Sequence, residues 1–202
     1  MNGKGPLEYT VLHASLLAYP HPGMKDDELA RNRSTARTML SDLHNLVTSA
    51  ATDEDWARLR GVGDDSNIFV DLARLCQDES LEKAIGAYET AVSINLNAEV
   101  EGEPVDLDAV RISSNLGALF QLQGNVETAE RMYQEALQKL ASETGKDAEV
   151  LKTVLAYNLA RAYEEGGEVV KASQWYRDVL RQHPELMECE SPLVISSVVT
   201  GN

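Results

Sequence analysis

An all-α solenoid of antiparallel helix pairs is the fold class that this sequence predicts, and three observations predict it. Small residues Ala84, Ala129 and Ala172 recur 45 and 43 residues apart, each followed four positions later by a tyrosine: Tyr88, Tyr133 and Tyr176. Eleven or twelve residues before each stands a large–small pair, Leu72-Ala73, Leu116-Gly117 and Leu159-Ala160. Between pair and alanine lies a turn, marked by Gly124 in the second copy and by Gly166-Gly167 in the third. Small residues let two helix backbones approach closely, and aromatics fill the space between one hairpin and the next. Such a hairpin cannot bury its apolar face alone, so copies are expected to stack.

The elements follow in order. Residues 1–50 are expected to form an N-terminal hairpin, a possible degenerate repeat. Its first helix runs Leu7–Tyr19, and Pro20-His21-Pro22-Gly23 ends it, because proline cannot donate to the helical ladder. Its second helix runs Asp26–Thr48, with Asp26, Asp27 and Glu28 favouring the N-terminal dipole and an apolar stripe through Leu29, Ala36, Met39, Leu40, Leu43 and Val47. Residues 51–65 read as a short helix, capped at Thr52 and broken by Gly61-Val62-Gly63. The three repeats then occupy 66–95, 110–141 and 153–186. The surplus over a 34-residue period is assigned to an acidic loop at 96–109 and a second loop at 142–152, since loops tolerate insertion better than packed hairpins. After Pro184 the pattern fails. The β-branched stretch within 187–202 is expected to be an irregular tail on an incomplete array, with Tyr176, Val179 and Leu180 left open where a next hairpin would pack.

Seven template positions match in the third copy (Leu159, Ala160, Tyr163, Gly167, Ala172, Tyr176, Pro184) and seven in the second (Leu116, Gly117, Phe120, Gly124, Ala129, Tyr133, Ala136). This is the tetratricopeptide-repeat (TPR) signature, and a TPR solenoid winds as a right-handed superhelix.

Composition narrows the function. Apolar residues make up 43% and charged residues 25% of the 202, as in folded soluble proteins, while aromatics reach only 5%. Net charge is −15, and residues 51–109 carry fifteen acidic against four basic side chains. A surface so acidic repels phosphate backbones, so direct nucleic-acid binding is not expected. No apolar run approaches the ~18 residues of a membrane span, and Lys4 is not followed by a leader-like apolar region, so neither membrane nor secretory targeting is expected. Cys76 and Cys189 have neither disulfide nor metal spacing, which fits a reducing compartment, cytosol or nucleus.

No motif carries catalysis or a cofactor. Gly61-Val62-Gly63-Asp64-Asp65 lacks a phosphate-loop lysine and the third dinucleotide-fold glycine, and His13, His21, His44 and His183 share no ligand spacing. Cys76 falls on a buried repeat position and reads as a small core hydrophobe. The clusters Asp53–Asp55, Asp64–Asp65 and Glu99–Asp108 read as a helix cap and solvated loops. The expectation is therefore no enzyme, no cofactor and no metal, with binding as the remaining function.

In a TPR array the first helix of each pair faces the partner. That gives Asp71 and Arg74 in the first repeat, Asn115 and Gln121 in the second, and Tyr157, Asn158 and Arg161 in the third. Asn115 and Asn158 stand at one phase, just before Leu116 and Leu159. An Asn carboxamide donates and accepts at once, which suits an extended peptide backbone. Helix-surface side chains facing water are the alternative. Arg74, Arg111 and Arg161 do not recur in one phase, so no basic clamp for a terminal carboxylate is expected.

Three stretches carry a narrower resemblance. HASLLAYPHPGMKDDELARNRSTARTML (13–40), NIFVDLARLCQDESLEKAIGAYETAV (67–92) and YNLARAYEEGGEVVKASQWYRDVLRQHPE (157–185), with SNLGALFQLQGNVETAERMYQEAL between them, resemble the TPR scaffold subunits of the RNA polymerase II-associated factor (PAF) elongation complex. The Ala-Tyr-Pro-His-Pro-Gly-Met turn is the most specific part, since the generic repeat does not demand it. The resemblance implies a non-catalytic nuclear scaffold that holds other PAF subunits and meets the polymerase indirectly. It also implies support for transcription elongation and co-transcriptional histone modification. The alternative reading is a generic cytosolic TPR adaptor or cochaperone that binds peptide segments.

Overall fold

The computed structural model describes residues 6–50, 65–98 and 104–184. Eight α-helices and no strands occur among them: α1 (Pro6–Ala18), α2 (Asp26–Ser49), α3 (Ser66–Cys76), α4 (Leu81–Ala98), α5 (Leu107–Leu122), α6 (Val126–Lys139), α7 (Lys146–Glu165) and α8 (Val169–Gln182). The short helix expected within 51–65, all but Asp65, and the tail at 187–202, with Cys189, lie outside the described residues. The chain divides into two compact units, Met1–Glu101 and Gly102–Asn202.

In the first unit α1 pairs with α2 and α3 with α4, while α2 also packs on α3. The α2 stripe Ala36, Leu40, Leu43 and Val47 is buried as its periodicity demands, and Phe69, Ala73, Ala84, Ala87 and Ala91 are fully buried on α3 and α4. Two arginines one turn apart on α2 tie it to its neighbours. Arg33 Nε donates to the Ala18 carbonyl at 3.3 Å, and Arg37 Nε donates to the Leu75 carbonyl at 2.8 Å while its guanidinium also pairs with Glu79. Both donate to carbonyls in the orphaned last turn of a first helix, a charge-assisted substitute for a C-cap.

His44 lies on the same helix, half-buried. The Thr90 hydroxyl donates to the Gly86 carbonyl at 3.0 Å, which leaves its oxygen to accept from His44 Nε2–H at 2.9 Å. The imidazole stands edge-on to Phe69 with ring centroids 5.7 Å apart. Burial lowers its pKa, and the Gly86 carbonyl only partly opposes this. The fold thus prefers neutral His44, so its contribution is complete above the ordinary histidine pKa of about 6.5 and declines as pH falls below it. The thermal midpoint of the full chain should therefore drop between about pH 7 and 5, and His44→Gln should flatten that slope. An unchanged slope in the variant would assign the acid sensitivity elsewhere.

In the second unit α5 pairs with α6 and α7 with α8; α6 also packs on α7, and α5 on α7. Its core gathers Ala129, Tyr133, Ala136, Leu140, Leu151, Leu155, Leu159, Ala162, Tyr163 and Ala172. Gly117 is the tight contact: a methyl added there would lie 2.9 Å from Tyr133 Cε1. Tyr176, the matching aromatic one repeat on, is only half-buried, and the position equivalent to Gly117 is Ala160. Side-chain caps open α5, where Asp106 accepts from Asp108 N–H at 2.8 Å, and α6, where Asn125 accepts from Thr128 N–H at 3.3 Å.

Both hairpin turns of this unit end their first helix identically. Gly124 (φ 86°) and Gly167 (φ 79°) adopt the left-handed conformation. Asn125 N–H then bonds back to the Phe120 carbonyl at 2.8 Å, and Glu168 N–H to the Tyr163 carbonyl at 2.7 Å. This glycine-requiring stop closes the last turn. The α3–α4 turn has no such glycine; Glu79 and Ser80 N–H groups instead share the Cys76 carbonyl.

Two expectations about the inter-repeat segments require correction. The stretch 142–152 is not a loop, because α7 begins at Lys146 and runs twenty residues. Its early residues Ala148, Leu151 and Leu155 are buried, the two leucines in one core with Tyr133 and Leu140, so burial pulls them into the helix. The stretch 96–109 is likewise shortened from both sides, since α4 extends to Ala98 and the Asp106 cap starts α5 at Leu107. Part of the surplus over a 34-residue period is therefore helix length. Val179, expected to lie open, is buried instead, and Tyr176 docks against its own hairpin.

Candidate functional site

The expected groove residues fall into separate settings. In the first unit Asp71 and Arg74 lie on α3, beside α1. Asp71 accepts from the Tyr19 hydroxyl at 3.0 Å, and Arg74 approaches its carboxylate at 4.0 Å. Burial raises the Asp71 pKa, against the Tyr19 hydrogen bond and the Arg74 charge, which lower it. Tyr19 itself belongs to the Ala-Tyr-Pro-His-Pro-Gly-Met turn, so the turn's aromatic is used to pin Asp71. These two candidates are engaged inside the unit. They form a structural contact between first helices.

In the second unit α5 and α7 lie against each other and carry the other five. Asn115 and Asn158 are both half-buried, at equivalent positions one residue before the buried Leu116 and Leu159. Arg161 pairs with Glu165 at 3.2 Å, one turn along α7. Tyr157 stacks at a tilt on Tyr176 with centroids 5.7 Å apart, and Tyr176 donates to Glu164 at 2.9 Å. That burial and the Glu164 carboxylate push the Tyr176 pKa well up. Gln121 is turned inward: its Oε1 accepts from the Tyr133 hydroxyl at 3.2 Å, and its Nε2 is buried without a partner. Gln121 therefore anchors the hairpin aromatic, while Arg161 is exposed and Asn115, Tyr157 and Asn158 are half-buried.

Sequence reasoning missed Tyr19, Tyr133 and Glu165 as partners of the chosen residues. Glu165 was readable from its four-residue spacing to Arg161. The Tyr19–Asp71 contact spans 52 residues and leaves no local signal.

Cys76 is a buried free thiol with its pKa pushed up by burial, the opposite of an activated nucleophile. Among the described residues, no three His, Cys, Asp or Glu side chains group to hold a metal, and no helix is long and apolar enough to cross a membrane. A depression of about 720 Å³ over Gln174, Arg177, Asp178, Leu180 and Arg181 is lined, among the described residues, by α8 alone, whereas an active site gathers groups from several elements.

Comparison with known proteins agrees with this picture. Residues 108–185 match the tetratricopeptide repeat family model. "Tetratricopeptide repeat protein 1" of Schizosaccharomyces pombe is 28% identical over 154 residues, 76% of this chain and 13% of that protein. "RNA polymerase-associated protein CTR9" of Caenorhabditis elegans is 25% identical over 134 residues, 60% of this chain and 11% of that protein. The chain thus spans roughly an eighth of the length of the curated relatives it matches. Among solved structures, BtubC from P. vanneervenii superposes with a TM-score of 0.54 at 18% identity, over 93% of this chain and 77% of that one, a likeness of fold alone. The described residues are helical, and over residues 108–185 the helix pairing and repeat markers coincide with a tetratricopeptide-repeat match.

Proposed function

We propose that this chain is a non-catalytic scaffold segment that works within an RNA polymerase II-associated elongation assembly of the PAF type, in the nucleus. The observation that carries this reading is the similarity to the nematode RNA polymerase-associated protein, joined to the Ala-Tyr-Pro-His-Pro-Gly-Met turn between α1 and α2. The polar face of α5 and α7 is the grip, with Asn115 and Asn158 reading an extended backbone of a partner subunit and Tyr157 and Arg161 beside them. Contact with the polymerase is indirect, through other subunits, and the acidic surface keeps the segment off nucleic acid. Its part in elongation and histone modification is to hold those subunits together.

A second reading is a general peptide-binding adaptor or cochaperone. It draws on the fission-yeast relative, which matches more of the chain and whose name specifies only the repeats. Affinity capture of the full chain from nuclear extract separates the two. PAF subunits recovered in stable ratio support the first, while binding of a chaperone C-terminal peptide without those subunits supports the second. A chain isolated as a partnerless monomer from both would contradict the scaffold role itself.

A further inference from the structure

The turn end of the second unit carries exposed apolar side chains that its own fold does not use. Leu122, the last residue of α5, is 66% exposed, and Val169 and Val170, the first two of α8, are 63% and 73% exposed. The two turns are neighbours: a methyl on Gly166 would lie 3.6 Å from Val126 Cγ1 at the start of α6. All three apolar residues therefore share one end of the paired hairpins. Two β-branched residues in a helix's first turn are poor helix formers, and Glu168 before them supplies no side-chain cap. Neither burial nor capping compensates that choice within the unit. The corresponding α3–α4 turn of the first unit carries Asp78 and Glu79 and no exposed large apolar residue.

The rim of this end is acidic. Glu127, Glu164, Glu165 and Glu168 are all exposed. Two cations offset them, Arg161 paired with Glu165 and Lys171 paired with Glu168, the latter held over the Tyr163 ring at 5.0 Å. An apolar patch inside a carboxylate rim selects its occupant by charge. A second copy of a chain with net charge −15 brings like charge to the contact, and an anionic membrane surface does the same.

We infer that this end docks a basic amphipathic segment of a partner protein, whose apolar side chains cover Leu122, Val169 and Val170 and whose lysines or arginines meet the Glu127–Glu168 rim. The surface borders the α5–α7 polar face at Arg161, whose partner Glu165 belongs to the rim. Its affinity should fall with salt, as rim charges steer association.

The test uses the full chain and a fluorescent 18-residue helical peptide with leucines at i, i+3, i+4 spacing and lysines elsewhere. A matching leucine–glutamate peptide and neutral phosphatidylcholine vesicles serve as competitors in kind. The lysine peptide should bind and the glutamate peptide should not. Leu122→Gln/Val169→Thr/Val170→Thr should weaken binding by about tenfold or more, while Leu16→Gln, equally exposed in the first unit, should leave it unchanged. Equal binding by the triple variant would mean diffuse charge attraction and overturn the assignment. So would preference for the glutamate peptide, absence of any peptide binding, or binding of the vesicles in place of the peptide.

Discussion

Replacing Tyr133 with alanine should destabilise the protein by about 3–5 kcal/mol, as for other fully buried aromatics. Tyr133 is the largest side chain with no exposed surface, and it fills the space that Gly117 opens between α5 and α6. Domains hold only about 5–15 kcal/mol in total, so the variant should be partly unfolded near physiological temperature. Its hydroxyl adds a second, smaller effect. It donates to Gln121 Oε1, and Gln121 Nε2 is already buried without a partner. Tyr133→Phe leaves the whole carboxamide unpaired and should cost about 1–2 kcal/mol. Chemical denaturation of the two variants measures both. A Tyr133→Ala loss below about 1 kcal/mol would mean that the hairpin core closes without its aromatic.

Phe69→Ala should cost a similar amount, about 3–5 kcal/mol, in the first unit. Phe69 is fully buried on α3 and forms one wall of the His44 site. Its removal carries a consequence that an ordinary core residue lacks. Water admitted beside His44 relieves the desolvation that lowers the histidine pKa, so the pH dependence of stability near pH 6 should shrink along with stability itself. Phe69→Leu retains most of the apolar wall and should cost less while keeping the slope. Loss of stability with an unaltered slope would show that Phe69 packs the core without shielding His44.

The repeat was legible because its markers are local and periodic. Ala84, Ala129 and Ala172 announce their contacts by size, and all three are buried. Helix lengths were less legible. Leu151 and Leu155 extend α7 by packing into one core with residues of α6, and a period fixed at 34 counts that extension as loop. The Gly124 and Gly167 stops were visible as turn glycines, but the α3–α4 turn closes without one. Arg33 and Arg37 were invisible as caps, because their acceptors are carbonyls 15 and 38 residues away. At the candidate site, phase identified Asn115 and Asn158 but also admitted Gln121, whose carboxamide turns inward to Tyr133. Phase gives the face of a helix and not what a long side chain on that face reaches.

The measurement that bears most directly on the scaffold account is capture by the Asn115→Ala/Asn158→Ala variant beside the unaltered chain, with subunits quantified in both. Two lost hydrogen-bonding carboxamides at about 1 kcal/mol each should weaken partner binding roughly thirtyfold, with helical content retained by circular dichroism. Recovery of PAF subunits that falls to background with the fold intact is the predicted result. Undiminished recovery from the double variant would contradict it, and would move the grip away from the α5–α7 face.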